Sequence, residues 1–206
     1  MNEFFLAALS FGLAAGLKPG PLGIVVIQQT LSRGLASGIG ASLAPLVTDG
    51  PIILAALWFL SQFRSIRLLA AGLSLAGGLY LLWLSWKMLR ARNLSLASGS
   101  GPGSSLGAAV RVNLLNPGPW LFWFTVGGSY ILRGSTAESI VFVATALGTL
   151  IAAKIAVAAL AAGFRPALEG GGYRATMKVL AVLLGAFGVQ SLAAAWELFA
   201  AGAGAA

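Results

Sequence analysis

With 206 residues, 58% of them hydrophobic and only 9% charged, the chain is too poor in charge for a soluble domain, which carries about 25% charged residues. Its net charge of +8 does not imply a nucleic-acid partner, because most basic residues lie between apolar runs, where topology signals are found. The absence of cysteine and histidine excludes disulfides, thiol redox chemistry and the commonest zinc and haem ligands, so no cofactor or metal is expected.

Taken in order, Phe4 to Leu31 is an apolar run of bilayer-crossing length with Pro19-Gly20-Pro21 near its centre. Met1-Asn2-Glu3 precedes it without a basic cluster or an evident cleavage site, so it is expected to be a first span. Ser32-Arg33 closes that run. Gly38 to Leu60 is a second span with Asp49 at its middle, and the flanking Pro45 and Pro51 predict a kink. After a link at Ser61 to Ser65, Ile66 to Trp86 forms a third span with Tyr80, Trp83 and Trp86 as an aromatic belt. Asn93 to Gly107, rich in Gly and Ser, reads as a linker.

The second half repeats the plan. Ala108 to Leu132 is a fourth span broken at Asn116-Pro117-Gly118-Pro119, Ser139 to Gly163 a fifth containing Lys154, and Ala175 to Phe199 a sixth. Gly163 to Tyr173 lacks the strand-and-helix context of a phosphate loop and reads as a connection. Gly78 followed by Trp86-Lys87-Met88-Leu89 matches Gly188 followed by Trp196-Glu197-Leu198-Phe199 with the same spacing. The expected fold is an all-α integral membrane protein of six transmembrane helices, with one three-helix repeat over 1–92, the linker over 93–107 and a second repeat over 108–206. Three spans per repeat is an odd number, so the second copy enters the membrane from the opposite side and the repeats are inverted.

Loop charges predict the orientation. Arg33, Lys87, Arg90, Arg92, Arg111, Arg165, Arg174 and Lys178 fall on one side and only Arg64, Arg67 and Arg133 on the other. The first side is expected in the cytoplasm, with both termini outside.

The two breaks carry the functional reading. Proline lacks the backbone donor and clashes with the preceding turn, while glycine adds freedom, so each motif parts a helix and frees peptide groups. Within a bilayer such groups persist only where protein or a water-filled cavity meets them, and interruptions at matching places in two halves point to a transporter's midplane site. Half-helices starting near Pro21 and Pro119 are expected to aim unpaired N–H groups and positive dipole ends at a carboxylate. The freed carbonyls of the preceding half-helices, with Asp49, suit an ammonium group or a proton. The expected substrate contacts are Lys18, Pro19, Gly20, Pro21, Asn116, Pro117, Gly118 and Pro119, and Asp49 and Lys154 are candidates to face each other. That pair reads either as a fixed salt bridge or as a switch that moves a proton as it forms and breaks. Lys18 reads either as a substrate contact or as a neutralised neighbour of Asp49. Trp120, Phe122, Trp123 and Phe124 are expected to be lipid and packing contacts.

Several of these stretches together resemble the LysE-type (RhtB-type) amino-acid exporters over nearly the whole chain. They are Pro19-Gly20-Pro21, the glycine-bearing turn from Gly34 to Gly40, Asp49, Ala76-Gly77-Gly78-Leu79-Tyr80-Leu81 and Asn113-Leu114-Leu115-Asn116-Pro117. The resemblance implies a bacterial inner-membrane exporter of amino acids or related metabolites, driven by the proton gradient and homodimeric. Lys18, Gly118-Pro119 and Lys154 depart from the family's usual pattern. A channel or non-transporting scaffold remains an alternative, needing neither a charged midplane nor two broken helices. An intramembrane enzyme would have Asp49 and Lys154 as almost its only buried catalytic groups.

Overall fold

The computed structural model describes residues 1–18, 20–62, 67–90, 102–164 and 171–203, and every regular element among them is helical. Pro19, residues 63–66 with Arg64, 91–101 with Arg92, 165–170 with Arg165 and Glu169, and 204–206 lie outside the described residues. The first run divides into α1 (Asn2–Leu17) and α2 (Pro21–Arg33), bent by 57°. The second comprises α3 (Leu35–Ser42) and α4 (Ala44–Gln62), and the third is α5 (Arg67–Arg90). The fourth is cut into α6 (Pro102–Leu115), α7 (Pro117–Phe122), a π-helical stretch (Trp123–Gly127) and α8 (Gly128–Arg133). Two long helices follow, α9 (Thr136–Phe164) and α10 (Gly171–Ala203). Leu35–Phe59, Thr136–Phe164 and Ala175–Ala200 are each long and apolar enough to cross a bilayer, and the bent pair α1 and α2 makes a fourth such unit.

Each interruption has a local cause. A residue before proline is pushed to extended backbone, and both Gly20 (φ −157°, ψ 175°) and Asn116 (φ −80°, ψ 121°) adopt it. The proline that follows starts the next helix, where its fixed φ is an advantage and its missing N–H costs nothing. Gly34, at φ 94°, makes the corner between α2 and α3 in a region that suits only glycine. The kink expected in the second span falls at Leu43, where Pro45 can offer no N–H to the carbonyl of Ala41 one turn back. Pro51 sits inside α4 without ending it.

The helices extend past their expected bounds at several ends: α5 runs on to Arg90, α9 starts at Thr136, and α10 starts at Gly171, within the stretch expected to be a connection. Two further differences bear on the site. α6 begins at Pro102, so the last six residues assigned to the linker by composition form its first turns, and Ser105 there is fully buried, donating to Gln29 Oε1 at 2.8 Å. The second half-helix begins at Pro117, two residues before Pro119.

Small residues set the packing, because helices in lipid associate through close backbone approach. Gly12 of α1 lies against Ala146 and Thr149 of α9, and Gly16 against Leu150 and Ala153, so these helices run in the same direction. α5 and α10 run in opposite directions, since Ser85 donates to the carbonyl of Ala181 while Gly78 meets Gly188 and Leu192. That last contact is reciprocal: a Cβ on Gly78 would meet Leu192 and the Gly188 carbonyl, and one on Gly188 would meet Leu82 and the Gly78 carbonyl. One buried cluster joins α2, α5, α6 and α10 around Val26, Leu81 and Leu184, and another joins α1, α4, the π-helical stretch and α9 around Ile52, Trp123 and Phe142.

Gly188→Val should therefore destabilise the protein, by about 1–3 kcal/mol for a side chain forced into a filled interface. Gly148→Ala, whose Cβ would meet nothing within 4 Å, should instead stabilise α9 by about 0.5–1 kcal/mol. Thermal unfolding in detergent measures both, and equal midpoints for the two variants would refute the packing account.

Candidate functional site

A cavity of about 450 Å³ lies where the two broken helices meet. Lys18, Gly20 and Pro21 of the first break, Asn116, Pro117, Gly118 and Pro119 of the second, and both Asp49 and Lys154 line it. Of the expected site residues Pro19 alone is absent from this wall, being outside the described residues. α1, α9 and α10 complete the lining with Phe11, Leu147, Leu150, Phe187, Gln190 and Ser191.

Asp49 is buried, with 3% of its surface exposed, and neutral donors surround it. Trp123 Nε1 donates to Oδ2 at 2.9 Å, while Thr48 Oγ1 and Asn113 Nδ2 donate to Oδ1 at 2.9 and 3.1 Å. Asn113 Nδ2 also reaches Thr48 Oγ1 at 2.7 Å. Trp123 is the packing contact expected, against Phe122 and Phe142, and has a second role the sequence did not suggest: it is 2% exposed, starts the π-helical stretch and aims its side chain's one polar atom at the carboxylate. The extra residue of a π turn shifts the side chains that follow it to a new face, as is common at functional sites.

The two breaks, matched in sequence, differ in chemistry. At the second, Asn116 Oδ1 accepts from Gly118 N at 3.1 Å and its neighbours Pro117 and Pro119 have no N–H, so the first turn of α7 offers no free donor. Two of the carbonyls before the break are occupied and a third is packed. Leu114 O accepts from Trp120 Nε1 at 2.8 Å, Asn113 O from Asn116 N at 3.3 Å, and Leu115 O abuts Gly77 of α5. The expectation of freed donors near Pro119 is therefore corrected: a side-chain cap and two prolines leave the second break none.

At the first break no side chain caps α2, and Leu22 and Gly23 of its first turn line the cavity. Lys154, 4% exposed, reaches this turn from α9: its Nζ donates to Lys18 O at 3.3 Å and lies 3.1 Å from where a Gly23 Cβ would stand. An ammonium and the positive end of a helix dipole sit side by side here, a combination that favours an anion. Asp49 and Lys154 share the cavity without pairing. The ion pairs among the described residues are Met1 with Glu138 (2.9 Å) and Arg133 with Glu3, which tie the N-terminus to the junction of α8 and α9.

Sequence reasoning passed over Thr48, Asn113, Gln190 and Ser191. Asn113 carried a signal, since it stands three residues before Asn116 and so on the same helix face. Gln28 and Gln29 were also passed over; both are buried in α2, where Gln29 Nε2 donates to Gln28 Oε1 at 2.8 Å.

Asn116→Ala should remove the cap of α7 and cost about 1 kcal/mol, while Asn116→Asp should retain most of the stability. Thermal unfolding in detergent reads this, and an unchanged midpoint for Asn116→Ala would sink the cap assignment.

The chain is 35% identical over 158 residues to the protein named chemotactic transduction protein ChpE of Pseudomonas aeruginosa, covering 70% of this chain and 75% of that one. No solved structure matches it. The family model of the LysE type translocators matches residues 13–194, nearly the whole helical assembly around the cavity. The chain belongs to the LysE type translocator family, whose members are multi-pass membrane transporters and not enzymes.

Proposed function

We propose that the protein is a secondary exporter of amino acids or closely related zwitterions across the bacterial inner membrane, working by proton antiport through the cavity between the two breaks. The observation that carries this reading is the separation of two buried, opposite charges on one cavity wall, neither neutralised by the other. Isolated charges near a bilayer's centre cost about 2.5–3.5 kcal/mol on insertion scales and are kept where they act. Lys154 and the uncapped start of α2 hold the substrate carboxylate. Asp49 receives the ammonium group or, in its turn, a proton. Alternation between these two cations at one carboxylate is antiport.

Six spans in two inverted repeats frame the site in this reading. It is supported by helix directions: α1 and α9 run in the same sense, as first and fifth crossings must, and α5 and α10 in opposite senses, as third and sixth must. The reciprocal approach of Gly78 and Gly188 is what a two-fold axis between α5 and α10 would produce. In the orientation that the loop charges predict, Phe11 in α1, Leu121 in α7 and Ala194 in α10, which line the cavity, lie on the outer side of the breaks, and the packed half of α2, α3 and α6 lies on the inner side. Both termini then lie outside. A C-terminal phosphatase fusion should be active, and activity from a cytoplasm-only reporter at that end would sink the topology.

Counterflow in proteoliposomes against a panel of amino acids tests the function, since a channel or an enzyme gives no trans-stimulated exchange. Lys154→Met should raise the KM for amino acids about tenfold, the equivalent of roughly 1.4 kcal/mol, and leave little affected their amides, which keep the ammonium but lack the carboxylate. Asp49→Asn should abolish pH-gradient-driven uphill transport while some exchange persists. Uphill transport by the Asp49 variant would place proton coupling elsewhere.

A further inference from the structure

We infer that Thr48 is a positioning residue for proton coupling, a hydroxyl whose single hydrogen turns between Asp49 and the backbone so that both protonation states of Asp49 fit one heavy-atom frame. The inference rests on the reading of Asp49 as the coupling group. Its basis is a conflict in hydrogen count. Thr48 Oγ1 lies within donating distance of two acceptors, Asp49 Oδ1 at 2.9 Å and the Ala44 carbonyl at 3.1 Å, yet a hydroxyl has one hydrogen and two acceptor sites. Asn113 Nδ2, with two hydrogens, reaches both Thr48 Oγ1 and Asp49 Oδ1.

With Asp49 ionised, the Thr48 hydrogen points to Oδ1. Oδ1 then accepts from Thr48 and Asn113, Oδ2 accepts from Trp123, and Thr48 Oγ1 accepts the second Asn113 hydrogen. When a proton binds, Oδ2 gives it no acceptor in the direction of Trp123, because an indole N–H only donates. On Oδ1 the new O–H points at Thr48. The hydroxyl hydrogen turns to the Ala44 carbonyl, and Thr48 Oγ1 accepts from both Asp49 and Asn113, filling all its bonding sites. One proton is gained, one O–H rotor turns, and no side chain moves. Release reverses the sequence.

Thr48 is 1% exposed and does not line the cavity, so it acts through Asp49 and not on the substrate. The charged residues on the elements packed against α4 are Glu3 on α1, Arg111 on α6, Arg133 on α8, and Glu138 and Lys154 on α9; Lys18 lines the same cavity. None of these makes an ion pair with Asp49, which leaves the hydroxyl and amide cradle as its immediate surroundings.

The experiment compares pH-gradient-driven accumulation with substrate exchange in proteoliposomes for wild type, T48V, T48S and D49N. T48V keeps the shape of threonine and loses the rotor. Its driven accumulation should fall about tenfold more than its exchange, the scale of one hydrogen bond to a charged group, and T48S should restore the ratio. An unchanged ratio in T48V, equal loss of both activities, or failure of T48S to rescue would each overturn the inference. If D49N itself still accumulates substrate, the coupling reading fails first; if D49N fails and T48V couples normally, only the Thr48 inference falls. Should T48V not fold, a pH-difference infrared spectrum of wild type decides. The carboxyl band absent from D49N should appear without a change in the peptide band, and a concurrent helix change would overturn the single-frame account.

Discussion

A peptide N–H or C=O that leaves a helix inside a bilayer must find another partner, and this requirement organises the assembly. In the fourth run local groups and one neighbouring helix meet it. Asn116 caps α7, Trp120 reaches back over the break to Leu114, prolines occupy the two positions whose donors would otherwise be free, and Gly77 admits the Leu115 carbonyl to the surface of α5. The first run does not close on itself. There the partner to the α1 carbonyl end is an ammonium from another helix, and the start of α2 has no side-chain cap. Two breaks of the same origin thus become a sealed corner on one side of the cavity and an anion-favouring end on the other.

The buried charges follow the same logic. Asp49 is held by an indole, a hydroxyl and an amide, and Lys154 by a carbonyl. Had the two paired directly, the Coulomb term would have offset much of their desolvation, and separating them would have left two uncompensated charges. Dipoles stabilise each charge at lower cost to its exchange of partners. That arrangement suits the zwitterionic substrate proposed above.

Rigid packing surrounds this site because glycine lets backbones touch. The α1–α9 contact at Gly12 and Gly16 fixes the wall that carries Lys154, and the α5–α10 contact at Gly78 and Gly188 fixes the wall that carries Gln190. The outward faces of α5 and α10 carry Leu79, Trp83, Val189 and Trp196, all exposed, as expected of surfaces that meet acyl chains.

Composition and hydropathy alone determined the membrane class, since a chain with 9% charged residues has too little polar surface to stand in water. The prolines by themselves located both breaks to within two residues, because a missing donor and a fixed φ act locally. Asp49 and Lys154 were legible as candidate site residues for a similar reason: a charge in an apolar run is costly wherever the run folds. What each charge touches was not legible. The Thr48–Asn113–Trp123 cradle joins α4 to α6 and to a π-helical turn, and no local propensity marks Trp123 as the residue that faces inward. The inequality of the two breaks was hidden as well, because it depends on Trp120 folding back on Leu114 and on Lys154 arriving from a helix more than a hundred residues away. Local chemistry determined where the chain breaks, and only tertiary packing decided which break is sealed and which is left uncapped.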